Sequence, residues 1–326
     1  MGARLRARLA SIVTQVGFTL GCLAIRLLPR HGLFVSADWL AGLAFRLFKG
    51  FRLRSTRNIA LAYRDHLSAA QIENIARRSL RNFFRDCIEI GTVLESSDEE
   101  VRGQIPVSGK EYLDAALQKG SGVVILSAHL GNFFLIGTRL ALEGYSVSVL
   151  VNQPNDGQFA DLMDKYRLKA KQRTIHARPR REALKQLNEV LRQNEIAVII
   201  ADEYRQGNGI PVPLFGGTVI ARRGPATLAL RTGAAVVPAC IVRQPDDSLK
   251  LTIEPEMEFD RSGKGKQEIA ENTVRLTRWL ERTVRRYPDQ WNWMNIRWWE
   301  NLGNEPVRQP SPAATAFGKN HERGLM

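Results

Sequence analysis

The run Ser121–Ser127, SGVVILS, constrains the fold more than any other stretch of the chain. It is short, rich in Val and Ile and almost continuously apolar, which is the pattern of a strand buried on both faces of a parallel sheet. Similar runs follow at Tyr145–Val151, Glu195–Ala201 and Gly233–Val242. Between them, Gln158–Gln172, Arg180–Gln193 and Ala221–Thr232 read as helices, and Gln267–Arg286 reads as a strongly amphipathic basic helix. Leu249–Ile253 alternates apolar and polar residues and reads as an edge strand, while Pro238 predicts a bend or bulge in its own run. Strands alternating with helices predict an α/β fold: a three-layer, mostly parallel sheet flanked by helices.

Upstream of the central run, Gly109–Lys119 reads as a short helix feeding it. Leu67–Leu94 reads as a long helix, with Ile72, Ile75, Leu80, Phe83, Phe84, Cys87 and Ile88 near helical spacing and Ser68 as its N-cap. The first 50 residues differ in character. Arg4, Arg6 and Arg8 precede Leu9–Ile25, which has no charged residue, and Arg26 and Arg30 follow. That run falls short of the roughly 20 residues of a full span. A second apolar stretch, Leu33–Phe48, is broken by Asp38 and Arg46. A signal peptide, one membrane-spanning helix and an interfacial helical pair all compete, but no small-residue cleavage site stands out. The expected organisation is an N-terminal membrane-associated helical segment over 1–50, a catalytic domain over 51–305 and a flexible tail over 306–326.

The net charge of +14 favours anionic partners. No aromatic–basic module of a nucleic-acid binder is present, so no nucleic-acid partner is expected. The three cysteines, Cys22, Cys87 and Cys240, show no CxxC spacing, which argues against a disulfide framework and a zinc site.

The strand that ends at Ser127 delivers His129 just past its carboxyl end, where open α/β sheets place their sites. Gly131 and Asn132 then supply turn and helix-cap chemistry, and Phe133–Leu142 reads as a helix. A lone histidine is either a structural residue or a base; a neutral imidazole there can take a proton from an attacking hydroxyl or amine. Glu195–Ala201 delivers Asp202 and Glu203 to its own carboxyl end, on the same sheet edge as His129 if the strands are parallel. The segment 207–223, GNGIPVPLFGGTVIARR, reads as a shaped loop too irregular for a strand. Arg222 and Arg223 at the start of the next helix suit a phosphate or another anion. The Trp-rich end, with Trp291, Trp293, Arg297, Trp298 and Trp299, fits core closure or a membrane-interface belt, with Trp291 and Trp293 assigned to the core.

The segment Arg57-Asn58-Ile59-Ala60-Leu61 and the blocks GVVILSAHLGNFF, ADEYRQGNGIPVPLFG, ARRGPATLALRTGAAVVPA and YPDQWNWMNIRW occur in this order to about Trp299. On these blocks the chain resembles the late acyltransferases of lipid A biosynthesis, the lauroyl and myristoyl transferase family. The resemblance implies a glycerolipid acyltransferase-like fold. It also implies transfer of a fatty acyl chain from acyl carrier protein, or acyl-CoA, to a hydroxyl of a lipid A precursor or related glycolipid. The place implied is the cytoplasmic face of the bacterial inner membrane, with membrane phospholipid or glycolipid as a further partner. No metal and no cofactor beyond the acyl donor are implied.

Within that pattern His129 opens an HX4(D/E) motif and is the general base. The fifth position after it is Phe134 rather than an acid. Glu203, the more interesting of the two, or Asp202 could replace the missing carboxylate; a neutral hydrogen bond from Asn132 is a further way to hold the ring. Gly131 and nearby backbone N–H groups are expected to stabilise the oxyanion. Arg222 and Arg223 are expected to bind phosphate, and a pocket near Phe215 the acyl chain. The competing expectation is a catalytically weak or silent relative that binds lipid or carrier protein at the membrane.

Overall fold

A computed structural model of the chain describes residues 21, 23–25, 27–152, 164, 167–204, 209–294 and 296. Most of the first apolar run, most of the helix expected over 158–172, Trp298, Trp299 and the tail lie outside them. Among the described residues no helix is long and apolar enough to cross a membrane.

Among the described residues there are nine strands. Seven of them, β1 (Val107–Ser108), β2 (Val123–Ser127), β3 (Val147–Val151), β4 (Arg173–His176), β5 (Ile196–Ile200), β8 (Ala235–Arg243) and β9 (Leu249–Ile253), form one sheet in the order β1-β9-β8-β2-β5-β3-β4. All neighbours are parallel except β8 and β9. Strand β9 is therefore not the edge; the two-residue β1 covers it. Pro238 does not interrupt β8, which runs unbroken from Ala235 to Arg243. It is the last β8 residue paired with β2, and the antiparallel ladder with β9 begins at Ala239, so the proline sits where β8 changes partner.

Alternate residues of the central strands feed two cores. Val124, Leu126, Ala197 and Ile199 face one cluster, and Val123, Ile125, Ile196 and Val198 face the other. The second cluster holds Leu113 and Ala116 of one short helix (Lys110–Leu117) and Ile136 and Leu140 of another (Ile136–Leu142). The first holds the helices α7 (Arg180–Arg192), α8 (Gly224–Thr232) and α9 (Lys266–Arg286), along with Trp291 and Trp293. The layered sheet read from the sequence is thus present, with a packed core on each face of its central strands.

Three N-terminal helices, α1 (Arg30–Leu47), α2 (Lys49–Tyr63) and α3 (Ala69–Glu95), pack on the first cluster through Ala44, Phe45, Ile59, Ile72, Ala76 and Leu80. Ser68 caps α3 in a capping box with Gln71. The Gly- and Pro-rich segment expected to be a loop is instead a hairpin of β6 (Ile210–Leu214) and β7 (Gly217–Ala221). Pro211 and Pro213 fall at the non-hydrogen-bonded positions of its register, so their missing N–H groups remove no ladder bond. Phe215 and Gly216 both take positive φ, the signature of a tight two-residue turn.

Candidate active site

Strand register builds the centre of the site. Ser127 and Ile200, the last residues of β2 and β5, are paired, and Ala201 N–H donates to the Ser127 carbonyl at 2.9 Å. Two residues further along each strand, His129 and Asp202 emerge side by side. His129 Nδ1 lies 2.7 Å from Asp202 Oδ1, and His129 N–H donates to Asp202 Oδ2 at 2.9 Å. Asp202 is fully buried, while the His129 side chain keeps 24% of its exposure. A carboxylate on Nδ1 assigns the proton to that nitrogen and leaves the lone pair on Nε2.

Burial is the largest influence on His129 and lowers its pKa. The charge and hydrogen bond of Asp202, with the charge of Glu203, outweigh it and leave the imidazole above its ordinary value. For Asp202, burial raises the pKa, but the His129 charge and the bonds from His129 and Trp291 outweigh it and hold the carboxyl below its ordinary range. Phe133 packs edge-on to the imidazole, ring centroids 4.8 Å apart.

His129 opens onto a cavity of about 1150 Å3. That is somewhat above the roughly 300–1,000 Å3 of small-molecule pockets, leaving room for a lipid-sized ligand. Helix α3 contributes Leu80, Phe83, Cys87 and Ile90, spaced three or four apart as one face of a helix demands. Phe133, Phe134, Val149, Leu184, Leu187 and Ile199 extend this apolar wall. Asp86, Arg167, Arg178, Arg180, Glu203, Arg222 and Arg223 supply the charged part of the lining. Among the described residues no cluster of His, Cys, Asp or Glu is arranged to hold a metal ion.

Several expected roles change. The carboxylate on Nδ1 is that of Asp202, whereas Glu203 lines the cavity with Arg222 Nε 3.5 Å from its Oε2. Phe134 lines the cavity and stacks on Phe133 at 4.3 Å, so that turn carries no proton acceptor. Asn132 neither holds the imidazole nor caps the turn that follows. It is fully buried, and its Nδ2 donates to the Asp86 carbonyl and toward Glu89.

Gly131 has φ +56°, and a Cβ there would lie 2.0 Å from the Ile241 carbonyl oxygen. Gly131 lines the cavity, but its N–H, expected to face an oxyanion, donates to the Gln290 carbonyl at 2.8 Å. Phe215 is 2% exposed and does not line the cavity; it packs on Tyr63, Trp291 and Trp293. Arg222 follows β7 and Arg223 is the N-cap residue of α8, so both stand just before the helix.

Two contributors were invisible in the strand pattern. Trp291 Nε1–H donates to Asp202 Oδ2 at 2.7 Å. A buried network joins Arg243 at the end of β8 to Asp86 and Glu89 of α3. Burial first, and then the Glu89 charge, push the Asp86 carboxyl up to about 7 against the pull of Arg243.

The bacterial lipid A biosynthesis acyltransferase family model matches residues 6–300. The phosphatidylinositol mannoside acyltransferase of Mycolicibacterium smegmatis is 24% identical over 305 residues, covering 92% of this chain and 96% of that protein. Its Mycobacterium tuberculosis counterpart is 24% identical over 244 residues, 72% of this chain and 74% of that one. The lipid A biosynthesis palmitoleoyltransferase of Escherichia coli is also 24% identical over 244 residues, 74% of this chain and 76% of that protein.

Proposed function

The chain belongs to the bacterial lipid A biosynthesis acyltransferase family, and from that premise we propose that it moves a fatty acyl chain from a thioester donor to a hydroxyl of a glycolipid. The observation that carries this reading is the His129–Asp202 pair at the edge of a large, mostly apolar cavity. The acceptor hydroxyl gives its proton to His129 Nε2 as its oxygen attacks the thioester carbonyl. The new C–O bond forms, the C–S bond breaks, and the imidazolium returns the proton to the departing thiolate. Asp202 keeps the ring in the required tautomer and stabilises the imidazolium.

The donor is acyl carrier protein, with acyl-CoA as the alternative, and the acceptor is a lipid A precursor or a related glycolipid. The apolar wall takes the acyl chain. Arg222 and Arg223, on the same lining as Arg178 and Arg180, hold phosphate of the acceptor or donor. Phe134 is what favours a silent relative; the buried carboxylate of Asp202 supports the catalytic reading.

We place the protein at the cytoplasmic face of the bacterial inner membrane. Helices α1 and α2 expose Val35, Trp39, Leu40, Leu43, Leu47, Phe48 and Leu53 beside Arg46, Lys49, Arg54 and Arg57. An apolar face rimmed by cations suits an anionic bilayer surface. Mass spectrometry of membrane lipids from cells with and without the protein tests the whole reading. The expected difference is one acyl chain on one lipid class; identical lipid profiles would reject it.

A further inference from the structure

The segment Gln290–Asn292 meets the His129–Asp202 centre at three points. Gly131 N–H donates to the Gln290 carbonyl at 2.8 Å, Asn292 N–H donates to the His129 carbonyl at 3.0 Å, and the Trp291 indole reaches Asp202. Leu130 and Trp291 form an isolated antiparallel bridge. Trp291 is itself fully buried, packed edge-on to Trp293 with centroids 4.9 Å apart, and its carbonyl accepts from Ser79 Oγ at 2.8 Å.

We propose that Trp291 is a positioning residue for the base: its indole N–H, together with His129 N–H, holds Asp202 Oδ2, so that Oδ1 is the oxygen presented to His129 Nδ1. A free carboxylate can turn either oxygen toward its partner; two donors on one oxygen remove that choice. Indole suits the task because it is a donor only and carries no charge. An Arg or Lys in its place would neutralise the carboxylate and weaken its hold on the imidazolium. This role rests on the acyltransferase reading for its use, but not for its measurement.

Removing the indole donor leaves the carboxylate charge less compensated, so proton binding to the pair becomes easier. In Trp291→Phe, the His129 titration and the acid limb of the activity profile should both move up by about one pH unit, given the strength of a hydrogen bond to a charged group. Activity below the midpoint should fall about tenfold and recover at alkaline pH. The other titratable or charged groups near the pair (Glu203, Arg222, the neutral phenol of Tyr204 and, across the cavity, Asp86) are not substituted in the variant.

Trp293→Phe is the matched control. It loses an equally buried indole whose N–H donates to the Pro288 carbonyl at 2.7 Å, with no bond to Asp202. It should lower thermal stability without moving either midpoint. If Trp291→Phe behaves like Trp293→Phe, the proposal is overturned.

If Trp291→Phe does not fold, NMR of the unsubstituted protein decides. The Trp291 indole N–H resonance should titrate with the His129 ring, and an indole signal indifferent to His129 protonation overturns the proposal. The titration reads out even if the parent transfers no acyl chain, so failure of the acyltransferase reading and failure of this one give different results.

Discussion

Replacing Asp202 with Asn separates the role of the charge from that of the shape. Asp202 Oδ2 accepts two N–H bonds, from His129 N and Trp291 Nε1, and Oδ1 meets His129 Nδ1. Both donors on the Oδ2 side demand an acceptor, so the amide oxygen of Asn must take that position. Its NH2 then faces Nδ1, which must become the acceptor, and the imidazole proton moves to Nε2. A protonated Nε2 cannot take a proton from the acceptor hydroxyl. A histidine base held in the wrong tautomer loses about 1,000- to 10,000-fold in kcat, which corresponds to about 4–5.5 kcal/mol of barrier.

The same substitution removes the charge that lifts the His129 pKa. Burial then dominates, and the imidazole should titrate below its ordinary value rather than above it. The assay is transfer of a radiolabelled acyl group from a thioester to a lipid acceptor, with His129 followed by NMR in the same samples. Activity within tenfold of the parent, with Glu203→Gln abolishing it instead, would refute the assignment of Asp202.

The unsubstituted enzyme should lose activity on acidification, with the limb centred above the usual histidine value of about 6.5, because Asp202 and Glu203 outweigh burial at His129. The same raised pKa adds stability that is fully present below about pH 6.5 and is lost as pH rises through the folded-state value; thermal melts in His129→Gln should lack that dependence. Phe134→Glu should give no large gain in kcat, since Asp202 already occupies Nδ1; a gain of a hundredfold would mean that the Asp202 contact is not the working one. Gly131→Ala should destabilise by about 2–4 kcal/mol in chemical denaturation, because it combines a left-handed backbone with a Cβ driven into the Ile241 carbonyl. Trp39→Asp with Phe48→Asp should abolish flotation with anionic vesicles while leaving the melting temperature within a few degrees; retained flotation would exclude the exposed face of α1 and α2.

The strands were legible wherever Val and Ile run together, because a strand dry on both faces has little choice of composition. The position of His129 followed from the end of such a run. The choice between Asp202 and Glu203 did not, since it depends on β5 lying beside β2 with Ser127 opposite Ile200, a pairing across 73 residues. The hairpin of β6 and β7 was hidden because its prolines read as breakers until the register shows them at positions that need no N–H. Phe215, expected at the acyl pocket from its glycine-flanked setting, takes a strained turn position whose N–H donates to Glu281, and there its ring packs against Trp291 and Trp293. Gly131 reads as a turn residue and is one, but the carbonyl that claims its N–H arrives from Gln290, far along the chain. Trp291 reads as a core residue and lies in the core; the one polar atom of its side chain ties that core to the catalytic carboxylate.

Single-turnover acyl transfer by purified His129→Ala, compared with the parent at equal folded concentration, tests the central claim most directly. The account predicts transfer by the parent and none above the uncatalysed background by the variant, with matching circular dichroism. Transfer at the parental rate without the imidazole would contradict it.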